Sequence, residues 1–489
     1  MPDVVQLLGL DFGTTTSSAV VASAPLLRGA VSGRMELGEV RERFRSPLVF
    51  TPLDELDRLD VSRLERLLDG WLAAGDVHPD DLFGGGALLT GLTAQKDNAA
   101  ALVGLIRRRV GRALVATADD PCLESWLAFM GSVGPLSRAH PHQHFLNLDV
   151  GGGTTNLALG RDGDVSRTGC LFVGARHVRV EPGTYRVVRL SRYARLLFDA
   201  LGIRAAAGDE LTEQDVRAVV DRYVRLLEAA VVGDGSAFVD PVAMAHVQVL
   251  YRPPDGGPRA HEESEIEPGV TFSGGVGELI YAHLAGRPWP GTTHFGDLGI
   301  DLARRILVSP TWAESLATYR PSSAGRATVY GLLRHSTEIS GSTIFLADPS
   351  LLPLTDVPIL GGVGPSSSDD DLRELLSLVA RSGRGGCLRV TVGGQDADRV
   401  RSLGGRLADA VGRVSFPPRL PLVLLVRENV GKTLGHYVTR WGRLPLALLA
   451  IDEIALRDAQ YAQIGAPRGP VVPVSFFGLS PRGVVPCSR

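Results

Sequence analysis

Residues 7–21 read LLGLDFGTTTSSAVV and residues 145–159 read FLNLDVGGGTTNLAL. Laid over each other without a gap, Asp11 falls on Asp149, Gly13 on Gly151, Thr16 on Thr154 and Ser17 on Thr155. Each stretch is an apolar strand, an aspartate at its end, a tight Gly/Thr turn and a second strand. Backbone amides in such a turn, clear of bulky side chains, can point at phosphate oxygens, and threonine hydroxyls add donors. The aspartate beside them can hold Mg²⁺ through its water shell, because Mg²⁺ gives up water reluctantly. A lone DxGT turn is common as a plain hairpin. Two at corresponding positions of repeated halves predict phosphate binding from both sides. Gly13, Thr14, Thr15 and Thr16 would act from one half, and Gly151, Gly152, Gly153, Thr154 and Thr155 from the other, with Asp11 and Asp149 at the metal.

A third element follows the two turns. Val270–Phe272, then Ser273-Gly274-Gly275-Val276-Gly277-Glu278 and an apolar run, reads as strand, glycine turn and helix. Gly274, Gly275 and Gly277 would let the backbone approach a nucleoside and its α-phosphate at a helix N-terminus.

Around these motifs the chain divides into three parts. Residues 1–145 carry the first turn, helical stretches at Val61–Ala73, Asn98–Arg109 and Leu123–Gly131, and strands at Ala87–Leu89 and Ala113–Ala116. Residues 146–350 carry the second turn and an amphipathic helix at Glu213–Val232, whose Val216, Val219, Val220, Val224, Leu226 and Leu227 recur at helical spacing. Thr212 and Asp215 form a capping box for it. The polar stretches Pro253–Pro258 and His261–Glu267 read as a loop, and Pro349–Ser368, rich in Pro, Gly and Ser, reads as a linker. Residues 351–489 form a further α/β unit, with a capped helix at Asp371–Ala380 and strands at Leu388–Val392, Leu422–Val426 and Ala447–Ile451. Strands alternating with helices throughout predict an α/β class.

Composition sets the outer limits. The chain has 489 residues, 44% hydrophobic and 21% charged, which excludes a disordered or fibrous protein. Its apolar runs stop short of the ~18 residues a membrane-spanning helix needs, and the N-terminus reads as a strand, so no membrane or export segment is expected. The net charge of −3 supplies no reason to expect nucleic acid or an anionic membrane as partner. Cys122, Cys170, Cys387 and Cys487 lack CxxC spacing, which fits a reducing, cytoplasmic setting. Lys96 and Lys432 are the two lysines, so any step needing an ammonium has two candidates.

Taken together, these motifs resemble the actin-like ATPase superfamily, which also contains sugar kinases and Hsp70. LGLDFGTTT (8–16) resembles its first phosphate motif, LNLDVGGGTTN (146–156) its second and TFSGGVGE (271–278) its adenosine motif. CLESWLAFMGSVG (122–134) and RATVYGLLRHS (326–336) resemble the two helices that cross between the halves. The resemblance implies a duplicated actin-like (ribonuclease H-like) fold with an additional C-terminal α/β domain, binding ATP with Mg²⁺. Within the superfamily the chain is most similar to the ethanolamine ammonia-lyase reactivating factors of ethanolamine utilisation. SPLVFTPLDE (46–55), LLTGLTAQKDNA (88–99), CLFVGAR (170–176), EISGSTIFL (338–346), RENVGKTLG (427–435), LPLALLAIDEI (444–454) and GPVVPVSFFG (469–478) carry that similarity. It implies a chaperone-like, weakly hydrolysing ATPase that binds inactivated cobalamin-dependent lyase and exchanges damaged cobalamin for adenosylcobalamin. Homo-oligomerisation and association with a bacterial microcompartment stay open. One departure is Leu92, where the resemblance implies an acidic residue; Glu124 and Asp97 are nearby carboxylates in sequence.

Two other readings stand beside this one. A small-molecule kinase on the same fold would need a general base for a substrate hydroxyl, and a scaffold gated by nucleotide would need no useful hydrolysis. Several local signals point elsewhere than to function. Gly431-Lys432-Thr433 has Val426 where a P-loop needs glycine and reads as a helix start. His140, His142 and His144 read as an exposed loop, Arg107–Arg109 as a helix end, and Cys170 as core.

Overall fold

The computed structural model describes residues 3–28, 35–54, 56, 58–111, 115–118, 120–251, 267–335, 337–340, 344–454, 459–468 and 471–479. Most of the polar stretches read as a loop after residue 252, and Cys487, lie outside them. In the first sheet Val4–Phe12 pairs antiparallel with Thr16–Arg28 and parallel with Leu82–Leu89, which in turn pairs with Val115–Ala118. The helices Val61–Ala74 and Ala99–Val110 cover one face, burying Leu64, Leu68 and Trp71 from one and Leu102, Leu105 and Ile106 from the other. Leu82–Leu89 begins earlier than its sequence suggests. Gly84–Gly86 masks it, and Gly85, at φ +117°, lies against the carbonyl of Leu8 where no Cβ fits.

The second sheet repeats the first. Phe145–Val150 pairs antiparallel with Thr155–Arg161 and parallel with Gly269–Ser273. Register is conserved between the copies: Asp11 faces Ser18 and Phe12 faces Ser17, while Asp149 faces Asn156 and Val150 faces Thr155. The turns close the same way, Gly13 N–H donating to Thr16 O at 2.9 Å and Gly151 N–H to Thr154 O at 2.9 Å. Duplication is thus visible down to single hydrogen bonds. The helix Glu213–Val232 forms where predicted, with the Thr212–Asp215 capping box in place and its six predicted apolar positions buried.

Two helices tie the halves together. Pro121–Ser132 follows the first sheet but packs on the second, where Ser125 Oγ donates to Gly169 O at 3.0 Å. Ala327–His335 follows the second sheet but packs on the first, with Val329 against Gly9. They touch each other backbone to backbone: a Cβ on Gly331 would run into the carbonyl of Leu127, and one on Gly131 into that of Ala327. Glycine inside a helix costs about 1 kcal/mol in propensity, and here it admits contact that any side chain would prevent.

A third, eight-stranded sheet completes the fold. Leu354–Val363, Gly386–Val390, Leu422–Val426 and Leu448–Ile451 run parallel, connected by the helices Asp369–Ser382, Ala397–Arg413 and Gly431–Val438. The antiparallel strands Ala459–Ile464, Pro473–Leu479, Thr337–Ile339 and Ile344–Leu346 extend it. The linker expected over Pro349–Ser368 is therefore corrected, since Leu354–Val363 within it is an interior strand. Its Gly361, which suggested a loop, instead makes room for Leu375 of the covering helix. Gly431-Lys432-Thr433 does open a helix, with Gly431 N–H donating to Asp452 Oδ2 at 3.3 Å. The third sheet rests on the crossing helices through Phe477, near Leu123 and Leu127, and through Gly478 N–H, which donates to Asp120 Oδ2 at 2.8 Å. No helix among the described residues is long and apolar enough to cross a membrane.

Gly131→Val is expected to lower unfolding free energy by about 1–3 kcal/mol, the usual range for overpacking, because two backbones must separate. Urea denaturation checks this; an unchanged midpoint would contradict the backbone contact.

Candidate functional site

A cleft of about 430 Å³ opens between the two repeated sheets, and the two turns meet at its floor. Asp11 and Asp149 stand at equivalent strand ends, each held by hydroxyls from neighbouring elements. Thr90 Oγ1 donates to Asp11 Oδ1 at 3.2 Å and Thr328 Oγ1 to Asp11 Oδ2 at 2.9 Å. Ser273 Oγ donates to Asp149 Oδ1 at 2.6 Å, and Asn147 Nδ2 donates to that hydroxyl at 2.9 Å. Thr90 and Ser273 lie at or just beyond the end of the parallel neighbouring strand in their respective sheets, so the support is duplicated with the fold. Thr328 comes from the crossing helix Ala327–His335, which follows the second sheet and packs on the first.

The turns touch. Thr14 Oγ1 accepts from Leu92 N–H at 2.7 Å, and a Cβ on Gly153 would lie 2.7 Å from Leu92 Cγ and 2.9 Å from Thr14 Oγ1. Gly152 lies directly against the Thr15 hydroxyl. Any side chain at 152 or 153 would wedge the halves apart, which accounts for the second and third glycines of the second turn.

Of the residues predicted from sequence, Asp11, Gly13, Thr14, Thr15, Thr16, Asp149, Gly151, Gly152, Gly153, Thr154, Gly274 and Gly275 all line the cleft. Two do not. Thr155 is buried in the sheet, its hydroxyl donating to Val173 O at 2.8 Å. Gly277 faces the strand behind it, where a Cβ would lie 2.8 Å from the carbonyl carbon of Phe272, so its role is helix–strand packing.

Glu124 lines the cleft and is the residue that a motif reading undervalues. It sits in the first turn of Pro121–Ser132, a helix capped by Asp120 Oδ1, which accepts from Leu123 N–H at 3.0 Å. Asp97 is exposed and outside the lining. The Asp-Pro start of the helix was the available signal for Glu124, because it fixes which residues fall in the first turn. At the other end of the cleft lie Glu278, Leu279 and Ala282 of the helix Gly274–Leu284, with Arg287 and Trp289 beyond them. Trp289 stacks on His283 at 4.4 Å between ring centres, giving this end an aromatic wall.

Burial dominates the electrostatics. It raises Asp11 to about 6 against the lowering effect of its two hydroxyl donors. It raises Asp149 to about 7, with the charge of Asp11 adding to the rise and Ser273 opposing it. Glu124 is pushed well above the carboxylate range, first by burial and then by the charges of Asp149 and Asp11. Three carboxylates thus share one partly dehydrated space, Asp149 buried and Asp11 and Glu124 half-buried, a setting that a divalent cation would neutralise. Among the described residues no three His, Cys, Asp or Glu side chains are grouped to ligate a metal directly. The donor set fits Mg²⁺, which keeps most of its waters and needs one or two carboxylates.

The strand order, the paired turns and the exchanged helices define a duplicated α/β protein of the actin-like kind, with one cleft between its halves and a third α/β unit. The chain belongs to the ethanolamine utilisation protein EutA family, whose profile matches residues 3–480. It is 30% identical over 482 residues to the ethanolamine ammonia-lyase reactivase EutA of Escherichia coli (strain K12), covering 97% of this chain and 98% of that one. It is 29% identical over 496 residues to the protein of that name from Salmonella typhimurium, with the same coverage. Among solved structures, an exopolyphosphatase-like protein is 19% identical with a TM-score of 0.33, over 58% of this chain and 70% of its own. MreB5 of Spiroplasma citri bound to AMPPNP is 13% identical with a TM-score of 0.29, over 63% and 97%. Those likenesses are distant, and the fold class rests on the strand order described above.

The raised carboxylates give a pH dependence with a definite sign. A buried acid whose folded pKa lies above its unfolded 3.8 stabilises the fold while protonated, and that stability is lost between about pH 4 and pH 7. Without nucleotide or metal, the wild-type protein should therefore melt at lower temperature as pH rises from 5 to 7. Asp149→Asn should lose part of this slope and melt above wild type at pH 8. Calorimetric curves that stay parallel for the two proteins would contradict the assignment.

Proposed function

We propose that the protein is an ATP-dependent reactivating factor for adenosylcobalamin-dependent ethanolamine ammonia-lyase, one that exchanges damaged cobalamin for intact coenzyme. The observation that carries the nucleotide half of this reading is the pair of equivalent Asp–Gly–Thr turns in contact at the floor of one cleft. Family membership and the names of the relatives support the lyase as partner. The two repeated sheets are the moving halves, and the third sheet is a docking or structural unit.

In this reading the turns Gly13–Thr16 and Gly151–Thr154 cradle the β- and γ-phosphates through amides and hydroxyls other than the Gly13 and Gly151 N–H groups, which close the turns themselves, and Gly274 and Gly275 approach the α-phosphate and nucleoside. The wall formed by Leu279, Ala282 and Trp289 takes the base. Asp11 and Asp149 hold hydrated Mg²⁺, which when bound supplies charge neutralisation for the phosphates and the surrounding carboxylates. Glu124, once ionised, orients the attacking water and holds its proton, taking the place left by Leu92. Hydrolysis then needs positioning and preorganised donors rather than covalent chemistry. Nucleotide can loosen the lyase only if its ATP and ADP forms bind the inactivated enzyme with different affinity.

The test is a reactivation assay on lyase inactivated by turnover, supplied with Mg-ATP and fresh adenosylcobalamin. Lyase activity should return with the wild-type protein. Glu124→Gln should keep Mg-ATP binding but lose about 10² or more of ATP turnover, the usual contribution of a general base, and lose reactivation with it. Equal recovery with and without the protein would refute the reading.

A further inference from the structure

Each of the two turns is braced by a second segment of its own half. In the first half Val49–Phe50 pairs antiparallel with Thr16 and Ser17. Thr51 follows, its N–H donating to Thr15 O at 3.0 Å and its Oγ1 to Gly13 O at 2.6 Å. In the second half Ala175 N–H donates to Gly151 O at 3.1 Å and Arg176 N–H to Gly152 O at 2.6 Å. Gly174 lies so close to that turn that a Cβ on it would be 2.6 Å from the Gly152 carbonyl. Leu48, just before the first brace, and Ala175 of the second both line the cleft, so the braces border it.

The braces meet in one pair of side chains. The Arg176 guanidinium, from the second half, lies over the Phe50 ring of the first, 5.6 Å from its centre. Arg176 is firmly held on its own side. Its Nη1 donates to Phe295 O at 3.2 Å and stands 3.8 Å from Asp297 Oδ2, in an ion pair whose side chains are both largely buried. A guanidinium bonds through its edge and can still offer its flat face to an aromatic ring, so the ion pair and the ring contact coexist. Phe50, by contrast, is 54% exposed. A cation–ring contact this open to water is worth little, so it can break and reform without disturbing either brace. It joins the halves lightly, beside the place where their turns touch.

We propose that Phe50 and Arg176 form a clasp between the two halves that sets how fast nucleotide leaves the cleft. The clasp rests on the nucleotide reading above, and its test separates the two. Dissociation of a fluorescent ADP carrying a methylanthraniloyl group is followed with Mg²⁺ present, chased with unlabelled ADP. Phe50→Leu keeps apolar bulk but loses the ring, and dissociation should quicken about two- to fivefold, the factor a rim cation–ring contact supplies. Phe50→Trp offers a stronger ring face and should slow it. In an Arg176→Ala background the Leu and Trp variants should release nucleotide at equal rates, because the cation they differ toward is gone. Arg176→Lys, which keeps a cation, should preserve the order Leu, Phe, Trp and guards against misfolding of the alanine variant. Urea unfolding without nucleotide tests the contact itself: Phe50→Leu should lower the midpoint when Arg176 is present and leave it unchanged when it is alanine. Wild type that binds no labelled ADP would overturn the nucleotide reading and the gating with it. Bound nucleotide leaving Phe50→Leu, wild type and Phe50→Trp at one rate would overturn the clasp alone.

Discussion

The structure depends on the burial of like charges at one place. Asp11 and Asp149 end equivalent strands, face a common cleft and are held by hydroxyl groups. Keeping ionised carboxylates partly dehydrated beside each other is costly, and their raised pKa values express that cost. A protein built only for stability would have apolar side chains there. The duplicated fold instead uses two hairpin turns, two parallel neighbours and a helix to position them.

The crossing helices make the positioning mechanical. Pro121–Ser132 carries Glu124 to the cleft, and Ala327–His335 carries Thr328 to Asp11. Since these helices meet at Gly131 and Gly331 without side chains between them, a change at one is transmitted to the other rather than absorbed by repacking. Asp120 extends the chain of contacts, capping the first helix with one oxygen and accepting from Gly478 of the third sheet with the other. The cleft and the third unit are therefore joined through a short series of direct contacts.

Much of this was legible in the sequence. The repeat from Asp11 to Ser17 and from Asp149 to Thr155 fixed the fold class and the two turns, because a strand–turn–strand with the same glycines must close the same way. The helix Glu213–Val232 was legible from its apolar period and its cap. What escaped was set by tertiary contact. Gly84–Gly86 and Gly361 looked like loops because their partners, Leu8 and Leu375, come from elsewhere in the chain. Thr155 and Gly277 belong to their motifs by sequence, yet strand alternation and helix packing turn them from the cleft. The distance in sequence between Asp11 and Thr328 hid the hydrogen bond that ties the second crossing helix to the first turn.

The central claim is that the two turns work as one grip. Amide hydrogen exchange measures it most directly, read over residues 13–16 and 151–154 with and without Mg-ATP. The account predicts that protection rises in both segments together, and that Asp149→Ala abolishes the rise in both. Protection confined to one turn, or unchanged exchange in both, would contradict it.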